Sequence, residues 1–167
     1  SKGMEWGFPG DKVGMIENNT MRTVATANIR SFKAIDEYEF ELELTSDLPE
    51  EIGVGAALEN LTWTPDVDIR NSFFGSCRAR GLLVSTPGKV VIENNVFESS
   101  GSAILIAGDA NYWYESGAVK DVLIKGNDFR YPCMSSMYQF CEAIISIEPE
   151  IPQPDTKYPF QIGRAHV

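Results

Sequence analysis

The chain has 167 residues, 43% hydrophobic and 23% charged, with a formal net charge of −10 and an isoelectric point near 4.5. That balance belongs to a folded chain with a continuous core, not to a disordered one. An excess of negative charge repels phosphates and so argues against nucleic acid as a partner, and no run approaches the roughly 20 apolar residues of a membrane-spanning helix.

In chain order, residues 1–56 form the first expected unit. Lys12–Glu17 (KVGMIE), Thr23–Ile35 (TVATANIRSFKAI) and Tyr38–Leu44 (YEFELEL) read as strands separated by short polar turns. The last of these alternates cleanly. Tyr38, Phe40, Leu42 and Leu44 share one face and Glu39, Glu41 and Glu43 the other, which is the pattern of a half-buried strand. The glutamates are therefore a solvated strand face and not a catalytic cluster. The unit is expected to be a small antiparallel β-meander or barrel.

Residues 57–150 carry an internal repeat. VDIRNSFF at 67–74, VVIENNVF at 90–97 and VLIKGNDF at 122–129 share Val, Ile and Phe at the same three positions. Their starts lie 23 and 32 residues apart, at the short end of solenoid periods of about 20 to 50 residues. A second apolar strand follows each copy, at 81–85 (GLLVS), 103–107 (AILIA) and 143–147 (AIISI). The period of two and the β-branched content exclude helices.

The expected fold class is all-β: a right-handed parallel β-helix (solenoid) preceded by the small antiparallel unit. In that arrangement Val67, Val90 and Val122 stack in one column, Ile69, Ile92 and Ile124 in a second, and Phe74, Phe97 and Phe129 in an aromatic third. Asn71, Asn94 and Gly126 occupy the bend, where Asn and Gly tolerate left-handed backbone. Asn95 and Asn127 follow, placed to hydrogen-bond along the axis as stacked amides.

The third copy is lengthened by insertions at 108–121 and 130–141, and long polar-aromatic loops on a rigid repeat are where binding sites concentrate. The first of these, GDANYWYESG at 108–117, gathers Asp109, Asn111, Trp113 and Glu115 just beyond a strand end. An aromatic face suits the C–H surface of a sugar, while carboxylates and amides suit its hydroxyls. Asp109 and Glu115 form a candidate carboxylate pair for glycoside hydrolysis. The competing reading makes Asp109 a turn cap and Trp113 a packing residue.

Arg78 and Arg80 lie one repeat earlier. Arg80 falls in register with Ser102, on the strand that leads to Asp109, where a guanidinium can bind hydroxyls or a carboxylate; a charge-balancing surface role is the alternative. Asp66 reads as a turn residue after Pro65, and Asp68 as an outward-facing strand residue. Cys77, Cys133 and Cys141 make no CxxC pair and His166 is the single histidine, so no metal site or cofactor is implied. Cys133 and Cys141 either clip one loop or remain separate thiols. Nucleophile-elbow, P-loop, dinucleotide and HExxH motifs are absent.

Residues 151–161 read as a Pro-rich linker. Residues 162–167 (IGRAHV) resemble the translation of a sequencing adapter and are expected to be a non-native tail, with the natural protein continuing past Phe160.

The run from Pro65 to Phe129, above all RARGLLVSTPGKVVIENNVFE and AILIAGDANYWYESGAV, resembles glycoside hydrolase family 110. These are bacterial exo-acting α-1,3-galactosidases, some of which remove the terminal galactose of the blood group B antigen. The resemblance spans roughly residues 1–160. It implies a β-helix with inserted β-barrels, periplasmic or secreted location, a galactose-containing oligosaccharide as substrate, and metal-independent inverting hydrolysis. The family's Asp-Asp motif is absent from this chain, so the resemblance places the main catalytic carboxylates upstream of residue 1. It leaves Arg80, Asp109, Asn111, Trp113 and Glu115 as substrate-binding candidates. A pectin-lyase-like enzyme, for which clustered calcium-binding aspartates would be needed, and a non-catalytic sugar-binding solenoid are the alternatives.

Overall fold

The computed structural model describes residues 6–50, 52–98, 101–131 and 143–152. Cys133, Cys141, most of the 130–141 insertion and residues 153–167 lie outside the described residues, and with them the loop-clip, linker and tail expectations. Thirteen strands and no helix occur among the described residues.

The first four strands are β1 (Lys12–Ile16), β2 (Thr23–Ala34), β3 (Phe40–Leu44) and β4 (Ala57–Asn60), forming an antiparallel sheet in the order β3-β2-β1-β4. Strand β2 is long enough to serve two partners. Its first half pairs with β1 and its second half with β3, with a register shift between Ile29 and Ser31. The β3 alternation is as the sequence pattern requires, with Glu41 and Glu43 exposed and paired to Lys33 and Arg30 across the strand.

Strand β4 extends this sheet past the expected break at 56/57. Ile16 faces Ala57 and Gly14 faces Glu59 across the β1–β4 pair, so residues 57–60 belong with the antiparallel unit.

The remaining strands recur in threes: β5 (Val67–Arg70), β6 (Phe73–Gly75) and β7 (Arg80–Val84); β8 (Lys89–Glu93), β9 (Val96–Glu98) and β10 (Ser102–Ile106); β11 (Asp121–Lys125), β12 (Asp128–Phe129) and β13 (Ile145–Ile147). Equivalent strands pair in parallel to give three three-stranded sheets, β11-β8-β5, β12-β9-β6 and β13-β10-β7. Val67, Val90 and Val122 are in register, as are Ile69, Ile92 and Ile124. Phe97 stacks between Phe74 and Phe129, with ring centroids 4.9 and 5.3 Å away.

The middle repeat is sealed. Val90, Ile92, Phe97, Ile104 and Ile106 are all essentially inaccessible and share one apolar core with Val122 and Ile124. The bend residues are left-handed, with φ of 51° at Asn71, 57° at Asn94 and 64° at Gly126. At the third position a Cβ on Gly126 would come within 2.5 Å of Asn94 Oδ1, so a side chain there would have to displace the Asn94 amide. Beside them runs the amide ladder: Asn127 Nδ2 donates to the Ile92 carbonyl, Asn95 Nδ2 to the Ile69 carbonyl, and the Asn95 and Ser72 amides donate to the Asn127 and Asn95 side-chain oxygens at 2.9 Å. Buried side-chain amides are tolerated here because neighbouring repeats satisfy them.

Candidate functional site: an aromatic loop over a cleft

Two glycines close the 108–117 loop on itself. A Cβ on Gly108 would lie 2.2 Å from the Gly117 carbonyl oxygen, so only bare backbone lets the two ends meet. The Asp109 amide then donates to the Ser116 carbonyl at 3.0 Å, and the Glu115 amide to the Asp109 carbonyl at 2.8 Å.

Inside this frame the Asp109 carboxylate accepts three backbone N–H groups, from Asn111 (2.9 Å), Tyr112 (2.6 Å) and Trp113 (2.7 Å). The residue is only 2% exposed. A short acidic side chain capping the N–H groups that follow it is the usual local use of aspartate, and here it occupies both oxygens. Asp109 is thus turned into the loop and away from solvent, and the pairing with Glu115 that the sequence suggests is not an open two-carboxylate site.

Asn111 also works inward. Its side-chain amide donates to the Asn18 carbonyl at 2.9 Å and the Glu150 carbonyl at 2.7 Å, fastening the loop to the β1–β2 turn and to the segment after β13. Ala110 joins Ile16 and Met21 in a small buried cluster, and the Ala118 amide donates to the Met21 carbonyl at 3.0 Å. The β1–β2 turn that receives Asn111 is itself organised by Glu17, whose carboxylate accepts from the amide and side chain of both Asn19 and Thr20 at 2.7 to 3.0 Å. Burial pushes the Glu17 carboxyl up, but these four hydrogen bonds outweigh it and hold its pKa below the ordinary 4.5.

The loop's tip is free by contrast. Tyr112, Trp113 and Tyr114 are each about 70% exposed, with Tyr112 set edge-on against Trp113 at 5.0 Å. Glu115 is exposed beside them. Tyr114 and Ser116 have φ of 56° and 124°, a backbone that costs non-glycine residues about 1–3 kcal/mol each and persists only where its surroundings enforce it. The enforcing contacts are the Asp109 bonds and a hydrogen bond from Ser116 Oγ to Glu59 Oε1 on β4.

Beneath the tip lies a cleft of about 820 Å³ between the loop and the antiparallel sheet. Its walls include Trp6, Phe32, Phe40 and Leu42 from the sheet side, Trp113, Tyr114 and Glu115 from the loop, and Glu59 between them. Glu59 escaped the sequence reading. ALEN at 57–60 carries no motif, and only the β1–β4 pairing brings it to residues almost 60 positions later. Among the described residues, Glu59 Oε2 is the one buried side-chain polar atom without a hydrogen-bond partner.

Arg80 stands apart from this cleft. It opens β7, directly paired with Ser102, and it is half-buried. Asp66 accepts the Lys89 amide at 2.7 Å and Asp68 pairs with Arg70, so both serve the repeats. Among the described residues no group of three His, Cys, Asp or Glu side chains converges as a metal site, and no helix is long and apolar enough to cross a membrane.

The antiparallel unit defines the first level of kinship: residues 1–58 match the GLAA-B beta-barrel domain II. Beyond it, nearly the whole chain is homologous to proteins named alpha-1,3-galactosidase B. It is 69% identical over 160 residues to that of Bacteroides thetaiotaomicron, covering 96% of the chain and 26% of the relative. It is 44% identical over 162 residues to that of Parabacteroides distasonis, covering 91% and 26%, and 42% identical over 154 residues to that of Akkermansia muciniphila, covering 92% and 19%. The resemblance to α-1,3-galactosidases read from the repeats therefore stands, in a chain that spans about a quarter of the length of the curated relatives it matches.

Proposed function

We propose that this chain is the sugar-facing part of an exo-acting glycoside hydrolase that removes terminal α-1,3-linked galactose. The three parallel sheets are the faces of a right-handed β-helix, and the 108–117 loop is carried on its flank. Hydrolysis proceeds with inversion. One carboxylic acid protonates the leaving oxygen and a second carboxylate activates water on the opposite side of the ring, the two standing roughly 6.5–9.5 Å apart. Those groups come from an Asp-Asp-containing segment that this chain lacks, so the chain alone binds galactoside without cleaving it. Location is periplasmic or secreted.

The observation that carries the reading is the exposed Trp113–Tyr114 face set over a carboxylate-bearing cleft, in a homologue of proteins named alpha-1,3-galactosidase. Trp113 stacks on the apolar face of the sugar and Glu115 accepts its hydroxyls, while Arg80 lies apart from the cleft and takes no part in this contact. Asp109 and Asn111 act one step back, by positioning the loop. Titrating the 167-residue chain with α-1,3-galactobiose and following tryptophan fluorescence tests this. Saturable quenching that Trp113→Ala removes, with no release of galactose, is the expected outcome. Release of galactose would overturn the division of labour, and absence of binding would overturn the site.

A further inference from the structure

We infer that Glu59 is a specificity-determining residue of the cleft, and that its Oε2 accepts a hydrogen bond from one galactose hydroxyl. The inference rests on the reading of the cleft as a galactoside site and adds a residue from the opposite module, which no part of the loop motif reveals.

Three observations converge on it. First, the two oxygens of Glu59 are used unequally. Oε1 is bound by Ser116 Oγ, whereas Oε2 is buried and unpaired. A buried acceptor without a donor is unfavourable by about 1–3 kcal/mol, more when charged, and among the described residues no group supplies Oε2 with a donor. Second, Glu59 lines the cleft together with Trp113, Tyr114 and Glu115, with the unpaired oxygen buried behind that wall. The terminal torsion of a carboxylate is broad, and a small rotation presents Oε2 to a hydroxyl entering past Tyr114. Third, the contact that fixes Glu59 runs through Ser116, one of the two strained residues of the loop. Strain held at a ligand-facing turn is the pattern expected of preorganisation.

The chemistry separates this role from a merely structural one. If Glu59 served only to clamp the loop, all of its effect would pass through Ser116. If it also receives a sugar hydroxyl, its removal abolishes the protein's discrimination against the sugar lacking that hydroxyl. Sites that hydrogen-bond a particular hydroxyl reject the deoxy analogue strongly, because the protein group is then left unpaired.

The experiment is a binding cycle on the 167-residue chain, with methyl α-galactoside and its set of monodeoxy analogues as probes. For the wild-type chain, one deoxy analogue should bind roughly tenfold or more weakly than the parent. Glu59→Gln retains size and a hydrogen-bonding group for Ser116. It should weaken the parent by a similar factor while showing almost no further loss with that same analogue. Ser116→Ala breaks the clamp but keeps the carboxylate, and should preserve the discrimination. Circular dichroism and the unfolding midpoint confirm that each variant is folded. If Glu59→Gln binds the parent as wild type does while Trp113→Ala does not, the inference about Glu59 fails and the galactoside site survives. Equal losses in Glu59→Gln and Ser116→Ala, with discrimination intact in both, reduce Glu59 to a loop clamp and likewise overturn it. Failure of the wild-type chain to bind the parent overturns both readings.

Discussion

Removing the Asp109 carboxylate distinguishes a loop cap from a sugar contact. It receives three backbone N–H groups at 2.6 to 2.9 Å in a residue 2% exposed. Hydrogen bonds to a charged acceptor are worth about 1.5–3 kcal/mol each, but Tyr112 and Trp113 are exposed, so water recovers part of that when the acceptor is lost. Asp109→Ala should then weaken loop closure by about 2–4 kcal/mol. Asp109→Asn retains one oxygen and should cost about 1–2 kcal/mol. Opening is local, so amide hydrogen exchange is the suitable assay. At about 1.4 kcal/mol per tenfold, protection of the Asn111, Tyr112 and Trp113 amides should fall roughly 30- to 1000-fold in the alanine variant and about 10-fold in the asparagine variant, with strand β8 unchanged. If Asp109→Asn keeps full protection at these three amides yet loses galactoside binding, the carboxylate acts on the sugar and the capping argument is wrong.

Two further outcomes follow from the same geometry. Phe97 is fully buried between Phe74 and Phe129, so Phe97→Ala should destabilise the repeats by about 3–5 kcal/mol in urea unfolding; a loss under 1 kcal/mol would mean the ring column is not a packed core. Glu17 gives a pH dependence with a defined sign. Its folded pKa lies below the ordinary 4.5, so its contribution is fully present above about that pH and disappears as the pH falls through the folded value. Unfolding midpoints between pH 6 and 3 should therefore drop less steeply for Glu17→Gln than for wild type, and identical slopes would refute the turn-capping role.

The repeat was legible in the sequence because parallel stacking places like on like. Val, Ile and Phe recur at fixed positions within each copy, and the columns Val67–Val90–Val122 and Ile69–Ile92–Ile124 follow without any knowledge of the loops. The left-handed bend was legible for the same reason, since Asn71, Asn94 and Gly126 are the residue types that φ near 55° demands. The β3 alternation was equally plain. The site was read less well. Asp109, Asn111, Trp113 and Glu115 look equivalent as a composition, and their division into inward anchors and outward tip depends on a loop closed by Gly108 and Gly117. A partial signal was present, namely a short acidic residue directly after glycine and before three residues needing donors satisfied. Glu59 had no signal at all. Its place is set by the antiparallel β1–β4 pairing, a long-range contact that no local pattern encodes.

The loop combines an immobile base with an open tip, and Asn111 shows how that is achieved. Its one side-chain amide bridges two carbonyls, Asn18 in the antiparallel unit and Glu150 beyond β13, so a single residue ties the loop to both modules. Asn111→Ala should therefore leave the repeat core as stable as before, because Val90, Ile92 and Phe97 are untouched, while the aromatic tip loses its fixed position. Binding of α-1,3-galactobiose should weaken roughly tenfold through the added cost of ordering the loop, with the Tyr112–Tyr114 amides exchanging faster. The sensitive comparison is with Trp113→Ala, which should remove affinity while leaving that exchange unchanged. If Asn111→Ala instead lowers the unfolding midpoint of the repeats and leaves the loop protected, the amide supports the β-core and the tip is positioned by the Asp109 cap and the Ser116–Glu59 contact.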